Sequence, residues 1–329
     1  MNIKKIGLTA LGTSLIATSA FAGSMAVTGS AGINLANQSN HTSSNGWSMT
    51  DEITFTGSGE MDNGWNVTVS MQLDNNASAG ASNYMDNRSV NIDMGDMGSL
   101  TFSGHGGSSA FSAVDDVTPS AYGEAWDVIG FGSTSTSITA GQTAKFGVIG
   151  GSTANNTFYY TAPTVVDGLA LNVGYQPSNS ARADGTTSFH IAYSGVEGLT
   201  VGYTQDDNGL AGSNGIDYET TYIKYAYGPV TLGYQQSSQD QSGSTTNDDD
   251  FEAVGITYQV SDNMTIGYNQ TAYDDANKTL DEESTNISVS YTMGGMTIAG
   301  AMVTMDNVGG SSASRDDIEG YEVDVSFAF

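Results

Sequence analysis

The sequence predicts an all-β fold, a transmembrane antiparallel β-barrel of sixteen strands. Three observations predict it. Many segments alternate apolar and polar residues, their connections alternate between short and long, and a low charge content accompanies a mean hydropathy of only −0.23. Alternation with a period of two is typical of a strand that has one apolar face. In a membrane barrel the apolar face contacts lipid and the other face lines a polar interior.

The composition supports a barrel against the other classes of polar chain. Charged residues make up 13% of the sequence, against about 25% in typical soluble domains. A disordered chain of similar polarity would not contain 17 Tyr and 11 Phe. After residue 22 no stretch approaches the roughly 18 consecutive apolar residues that read as a spanning helix.

The N-terminus has the three-part layout of a secretory signal peptide. Lysines at positions 4 and 5 precede an apolar run over residues 6–17, and Ala20-Phe21-Ala22 follows. The run is too short to cross a bilayer, which disfavours the alternative of an N-terminal anchor. We therefore expect residues 1–22 to be a cleaved signal peptide and residues 23–329 to form the barrel.

Charge and cysteine content restrict the partners. The net charge of −28 disfavours binding to nucleic acid phosphates, so no nucleic acid partner is expected. The absence of Cys fits an exported protein that does not rely on disulfides.

The clearest strand pattern covers residues 65–74, where odd positions are apolar and even positions are polar. Its ten residues match a tilted membrane strand of about 9–11 residues. A helix would instead require apolar residues at i, i+3 and i+4. The same reasoning along the chain predicts sixteen strands: 25–37, 48–59, 64–74, 87–95, 98–106, 155–162, 168–176, 186–194, 197–206, 217–228, 229–238, 250–260, 263–273, 284–293, 295–305 and 318–329.

The connections between these strands alternate in length, as expected for short periplasmic turns and long outer loops. A soluble β-sandwich has no reason to keep this alternation. The short connections include 61–64, 96–98, 195–198, 228–229 and 294–295, and the long ones include 38–47, 75–86, 207–216, 239–249, 274–283 and 306–317.

The last segment ends in an alternating pattern that closes on Phe329. It resembles the C-terminal signature that outer-membrane barrels present to the barrel-assembly machinery, and the resemblance implies that machinery as a partner. The residues that carry the pattern are Tyr321, Val323, Val325, Phe327 and Phe329.

One connection, at about 107–154, is far longer than the others. A loop of this length is usually functional or disordered. Its core, residues 112–127, and the preceding hairpin, residues 94–102, resemble those of Gram-negative general diffusion porins, the sixteen-stranded alphaproteobacterial type. The resemblance covers the mature chain in layout, but only these stretches and the C-terminus in detail.

The resemblance implies an inward-folded third loop that narrows the barrel. It further implies an outer-membrane homotrimer, among lipid and lipopolysaccharide, that lets small hydrophilic solutes and ions diffuse passively. Folded inward, Phe111, Tyr122 and Trp126 can pack against the wall. Charged groups that ring a pore select ions through the local field. The predicted constriction consists of Asp115, Asp116, Glu124 and Asp127, and the alternative is that these acids are solvated loop charges.

The expected lumen wall contains Glu52, His105, His190 and Lys224. General porins oppose an acidic third loop with Arg and Lys from the wall, and this chain departs from that pattern because few basic residues have lumen parity. Arg88 shares parity with lipid-facing residues and is expected at the outer rim. An acidic lumen with few bases predicts a preference for cations.

The sequence argues against an enzyme. Its histidines, at 41, 105 and 190, are expected in loops or on the pore wall rather than beside a nucleophile. No cofactor is expected, and Ca²⁺ at acidic outer loops stays an unassigned alternative. Three other readings remain open: a closed surface barrel that serves adhesion or phage contact, a substrate-specific channel, and a soluble acidic extracellular β-protein.

Overall fold

The computed structural model describes the chain from residue 23 onward, with gaps in several connections. The described residues are 23–38, 46–74, 85–107, 109–115, 117–125, 136–137, 143–144, 155–178, 185–210, 215–243, 248–310 and 317–329. The expected signal peptide, residues 1–22, lies outside them. Within the described residues, no helix has the length and apolar character needed to cross a membrane.

Sixteen strands form one closed antiparallel barrel, which confirms the fold class and the strand number. A further pair of two-residue strands, β6 and β7, forms a separate hairpin inside the long connection. The strands are β1 (Ser24–Gln38), β2 (Gly46–Glu60), β3 (Asn66–Asp74), β4 (Met85–Asp93), β5 (Ser99–His105), β6 (Thr136–Ser137), β7 (Thr143–Ala144), β8 (Thr157–Thr161), β9 (Leu169–Gln176), β10 (Thr186–Val196), β11 (Leu199–Asp207), β12 (Ile216–Tyr227), β13 (Val230–Gln241), β14 (Asp249–Ser261), β15 (Met264–Asp274), β16 (Glu282–Met293), β17 (Met296–Asp306) and β18 (Ile318–Ala328).

The first and last strands close the barrel. Residues 30–38 of β1 pair with residues 320–328 of β18. The final residue continues this ladder, because Gly29 and Phe329 exchange two backbone hydrogen bonds of 2.9 Å. Closure removes the unpaired strand edges, which are not tolerated in lipid.

The period-two pattern places apolar residues outward on every strand of the barrel. In β14, Val254, Ile256 and Tyr258 are exposed at the outer surface, while Ala253 and Gly255, which alternate with them, are buried. A tyrosine at the end of an outward row suits the interface between lipid and water. Tyr193, Tyr227, Tyr258 and Tyr291 occupy such positions close to the short turns.

The short turns have the chemistry of tight hairpins. β12 ends at Tyr227 and β13 begins at Val230, so only two residues connect them. The first of these, Gly228, has a φ of +56°, which favours glycine because it lacks a Cβ. The turn before β3 is longer than predicted, because the Trp65 carbonyl accepts a 2.7 Å hydrogen bond from the Met61 N–H and β3 begins at Asn66.

Candidate functional site

A segment of the long connection lies against the inner face of the barrel. We call residues 109–115 and 117–125 the inserted segment. It begins four residues after the end of β5 with a single 3₁₀ turn, Phe111–Ala113. Two serines stabilise this turn, because the Ser112 hydroxyl donates to the Ser109 carbonyl at 2.7 Å and accepts from the Ser109 N–H at 2.8 Å.

The first half of the inserted segment joins a buried apolar cluster inside the barrel. The Phe111 ring meets the Tyr218 ring of β12 edge-on, with centroids 6.1 Å apart. The Ala110 N–H donates to the Ser188 hydroxyl of β10 at 3.3 Å. The buried cluster comprises Phe111, Val114, Val117, Ala125, Tyr218, Tyr222, Phe251, Ala253, Tyr273, Ala301, Val303, Met305, Val308 and Ile318.

The second half crosses successive strands from β13 to β16. The Thr118 hydroxyl donates to the Gln235 side chain of β13 at 3.3 Å. Further along, the Ala121 N–H donates to the Ser288 hydroxyl of β16 at 3.1 Å. The Asn286 amide, also on β16, donates to the Gly123 carbonyl at 2.9 Å. Backbone groups of the segment are therefore satisfied by side chains of the wall.

The far end of the segment reaches the seam between the last and first strands. The Tyr122 hydroxyl donates to Glu322 of β18 at 2.8 Å, and the amide of Asn34 on β1 donates to the same carboxylate oxygen. Burial and the hydrogen bond to Glu322 raise the pKa of Tyr122 above its usual value of 10.0. Tyr122 therefore stays protonated and remains a donor at neutral pH. These contacts extend from β10 to β18 and β1, so the segment occupies part of the lumen cross-section.

The predicted constriction acids lie in different environments. Asp115 is exposed, whereas Glu124 is only 4% exposed. Asp116 and Asp127 lie outside the described residues, as does Trp126. Of the aromatic residues expected to pack against the wall, Phe111 is in the apolar cluster and Tyr122 packs against it.

Glu52 lies on the inner face of β2 in a network of polar side chains. The Ser30 hydroxyl of β1 donates to Glu52 at 3.1 Å, and the Gln72 amide of β3 donates to its other oxygen. Gln72 accepts in turn from the Asn87 amide of β4. Asp74 pairs with Glu52 in the strand register, so a second carboxylate occupies the same face.

The two histidines predicted on the lumen wall occupy different environments. His190 lies on the inner face of β10, 6% exposed, with its ring stacked on Tyr222 at 6.1 Å. It is therefore covered rather than open to the lumen. His105 is half-buried and ends β5, where it pairs with Arg88.

Lys224 and Arg88 lie on opposite faces of the barrel wall. Lys224 is inward, because its register partner Gly233 contacts the inserted segment. It lines a cavity of about 380 Å³ together with Glu124, Thr231 and Thr257. Arg88 is exposed and pairs with the outward Met71, beside a register shift between β4 and β5.

Acidic residues therefore outnumber bases on the inner face of the described strands. The inward acids include Glu52, Asp74, Asp206, Asp249, Glu282, Glu322 and Asp324, and the Lys or Arg side chain that faces inward on these strands is Lys224. Sequence reasoning missed Glu322 as a site residue, although its parity within the final strand is opposite to that of Tyr321 and Val323.

Carboxylates at the loop ends of the strands accept hydrogen bonds from backbone and side-chain groups of the same and neighbouring strands and loops. Asp249 accepts from the Tyr273 hydroxyl at 2.9 Å, the Gln239 amide at 3.0 Å and the Ala276 N–H at 3.1 Å. Asp207 accepts from the N–H groups of Thr187 and Gly209. Among the described residues, no group of three or more His, Asp or Glu is arranged to hold a metal ion.

Comparisons with known proteins bear on the whole chain. A family model described as Gram-negative porin matches residues 7–328. No curated protein matches the chain in sequence.

Solved porin structures share the fold. An anion-selective porin from Comamonas acidovorans aligns with a TM-score of 0.69 at 12% identity, covering 93% of this chain and 100% of that one. The trimer form of OmpT, an outer membrane protein of Vibrio cholerae, aligns with a TM-score of 0.65 at 12% identity over 94% of this chain and 100% of its own. A mutant porin of Rh. blastica aligns with a TM-score of 0.63 at 15% identity over 93% and 100%.

Proposed function

Because this chain belongs to the Gram-negative porin family, it is an outer-membrane channel and not an enzyme, and we propose that it passes small hydrophilic solutes and ions by passive diffusion with a preference for cations. The observation that carries the cation preference is the excess of carboxylates over bases on the inner face, described above. The inward polar residues of β2 and β3, such as Thr54, Thr68 and Ser70, supply a wettable wall.

The direction of selectivity follows from the fixed charges. Carboxylates around a narrow aqueous path raise the local concentration of cations and lower that of anions. Glu52 and Asp74 are both partly exposed, so a passing ion can approach them. Lys224 acts in the opposite direction, but it shares its cavity with Glu124, which reduces its net effect.

The constriction is the second part of the proposal. The inserted segment supplies Asp115, and the sequence adds Asp116 and Asp127 beyond the described residues. An exposed carboxylate on a segment that occupies part of the lumen favours cations over anions around it. The Comamonas acidovorans relative is described as anion-selective, so the fold alone does not decide the sign and the charges of this chain must.

The test is planar-bilayer recording of purified, detergent-folded protein across a KCl gradient. We expect stepwise conductance and a reversal potential of the sign given by K⁺ permeation. An anion-selective reversal potential would refute the cation preference and leave a diffusion channel. Folded protein that shows no conductance would refute the diffusion role and favour a closed surface barrel. Saturation of flux by one solute would favour a substrate-specific channel.

Export and assembly of the barrel complete the proposal. Residues 1–22 are removed as a signal peptide, so mass spectrometry of the outer-membrane form should find Gly23 at its N-terminus. Assembly machinery recognises the C-terminal pattern that ends in Phe329. Deletion of Phe329 should lower the yield of folded barrel in the outer membrane, and an unchanged yield would refute this role.

The barrel assembles as a homotrimer among lipid and lipopolysaccharide. Support comes from the trimer form of the similar OmpT structure. Light scattering of the protein in a mild detergent should give three times the chain mass. A single-chain mass under the same conditions would refute the trimer.

A further inference from the structure

The inserted segment approaches the wall most closely at three glycines on neighbouring strands. They are Gly233 of β13, Gly255 of β14 and Gly267 of β15. A Cβ built on Gly255 would lie 2.5 Å from the Pro119 carbonyl oxygen, and a Cβ on Gly267 would lie 2.7 Å from the Ala121 nitrogen. Ordinary contacts begin near 3.4 Å, so the segment lies closer to the wall than any other residue type would allow.

The Gly233 contact differs from the other two in the kind of atom that lies nearest to an added Cβ. A Cβ there would lie 2.3 Å from the Pro119 Cδ and 3.0 Å from its Cγ, which are side-chain atoms. The next atom, the Val117 carbonyl oxygen, is 3.3 Å away. Removal of the proline ring would therefore relieve this contact, whereas it would not relieve the backbone contact at Gly255.

The barrel contains other inward glycines of the same kind that the segment does not use. A Cβ on Gly174 would meet the Ser188 hydroxyl, and a Cβ on Gly202 would meet the Tyr222 ring. Both neighbours belong to the wall itself. The three glycines under the segment therefore differ from Gly174 and Gly202 in one respect. The space above them is filled by the inserted segment and not by a side chain of the wall.

We propose that Gly233, Gly255 and Gly267 are positioning residues that seat the inserted segment against the wall and thereby set the free width of the channel. Hydrogen bonds on both sides of the seat, which the segment donates to Gln235 and Ser288, hold it in place along the strands. A side chain in the seat would push the segment toward the lumen axis by about 1 Å, the difference between 2.5 Å and an ordinary contact of 3.4 Å.

This inference rests on the proposed diffusion role, and its test uses the full-length chain in planar bilayers. Gly255→Ala should give a lower single-channel conductance and a smaller size limit for neutral sugars in liposome swelling. The matched control is Gly57→Ala on the outer face of β2, where a Cβ meets nothing within 4 Å. The control should conduct as the wild type does.

A rescue experiment separates seating from a general effect of added methyl groups. Gly233→Ala should also narrow the channel, and Gly233→Ala combined with Pro119→Ala should restore wild-type conductance. Adding Pro119→Ala to Gly255→Ala should not restore it, because the carbonyl oxygen of residue 119 remains. Folding of every variant is verified by heat-modifiable migration on gels.

Conductance of folded Gly255→Ala equal to or greater than that of the wild type would overturn the inference. If Gly255→Ala does not fold, the comparison of Gly233→Ala with Gly233→Ala/Pro119→Ala decides. The inference is overturned if Pro119→Ala does not restore the conductance of Gly233→Ala. If folded wild type carries no current, the diffusion role fails instead. The seat is then tested by limited proteolysis, which Gly255→Ala should accelerate within residues 109–125 and Gly57→Ala should not.

Discussion

The inner wall of the barrel has two regions that differ in what covers them. On β10–β17, which we call the covered wall, most inward residues are buried, and Gln235, Phe251 and Val303 are at most 1% exposed. On β1–β4, which we call the open wall, most inward residues, such as Glu52, Thr54 and Ser70, are partly exposed. The outer faces of both walls carry similar apolar rows, so lipid contact does not cause the difference.

The covered wall follows the packing rules of a soluble core, because another part of the same chain lies on it. It combines glycines, alanines and large apolar side chains that fit one occupant, the inserted segment. The open wall follows the rules of solvation, because its Glu52, Gln72 and Asn87 bond to one another and stay partly exposed. One barrel therefore contains a dry contact surface and a wetted channel surface side by side.

The largest effect is expected from Phe111→Ala, which removes the aromatic anchor of the segment on the covered wall. Phe111 is 7% exposed, and truncation of a buried Phe costs about 3–5 kcal/mol. Much of this loss weakens the attachment of the inserted segment to the wall. The variant should therefore show noisier current and faster proteolysis within the inserted segment. Single-channel recording and limited proteolysis measure the two effects.

The control for this variant is Phe102→Ala on the outer face. Phe102 packs against Phe158 with ring centroids 4.9 Å apart, and it is 37% exposed toward lipid. Its truncation should leave current noise unchanged. Equal noise in the two variants would show that the segment is not anchored on the covered wall.

The sequence predicts the barrel well because the outer faces have one environment. Outward positions such as Val69, Tyr234 and Ile266 meet lipid throughout, so the period of two persists and the predicted sixteen strands are confirmed. Trp65 fits the same pattern by parity, but its carbonyl belongs to a turn. The hydrogen bond between Met61 and Trp65 sets the start of β3 at Asn66, and the alternation of apolar and polar residues does not reveal this boundary.

The interior is predicted less well because its environment depends on contacts distant in sequence. His190 has the parity of a lumen residue, yet Tyr222 of another strand stacks on it and buries it. The sequence does contain a pattern for the glycines under the segment. On three successive strands an inward Gly stands between two outward apolar residues. The pattern alone could not identify the occupant, because Gly202 has the same flanks and is filled by Tyr222.

The next largest effect is expected at the boundary between the two walls, where Tyr122 joins the segment to Glu322. Tyr122→Phe removes the 2.8 Å hydrogen bond to the Glu322 carboxylate, and a bond to a charged group contributes about 1.5–3 kcal/mol. The segment should be cleaved faster by protease at pH 8, while heat-modifiable migration stays normal. Cleavage at the wild-type rate would show that this bond does not hold the segment.

The same residue predicts a pH dependence with a defined sign. Burial and Glu322 raise the pKa of Tyr122 in the folded protein. The stability that it contributes is complete below the ordinary pKa of 10.0 and is lost as the pH rises from there toward the folded value. The difference in proteolysis rate between wild type and Tyr122→Phe should therefore be constant up to about pH 9 and shrink above pH 10. A difference that grows above pH 10 would contradict the assignment.

The smallest effect is expected from the removal of single charges in the lumen. The change in cation preference should have opposite signs for a charge on the open wall and for one beside the inserted segment. Glu52→Gln on the open wall should lower the cation preference, and Lys224→Gln, which faces the edge of the inserted segment, should raise it. A partly exposed charge contributes about 0.5 kcal/mol, so each change in the permeability ratio should be roughly twofold. Reversal potentials in a KCl gradient measure both variants against the wild type. An unchanged reversal potential in Lys224→Gln would mean that this side chain does not face the ion path and that the cavity it shares with Glu124 is closed to ions.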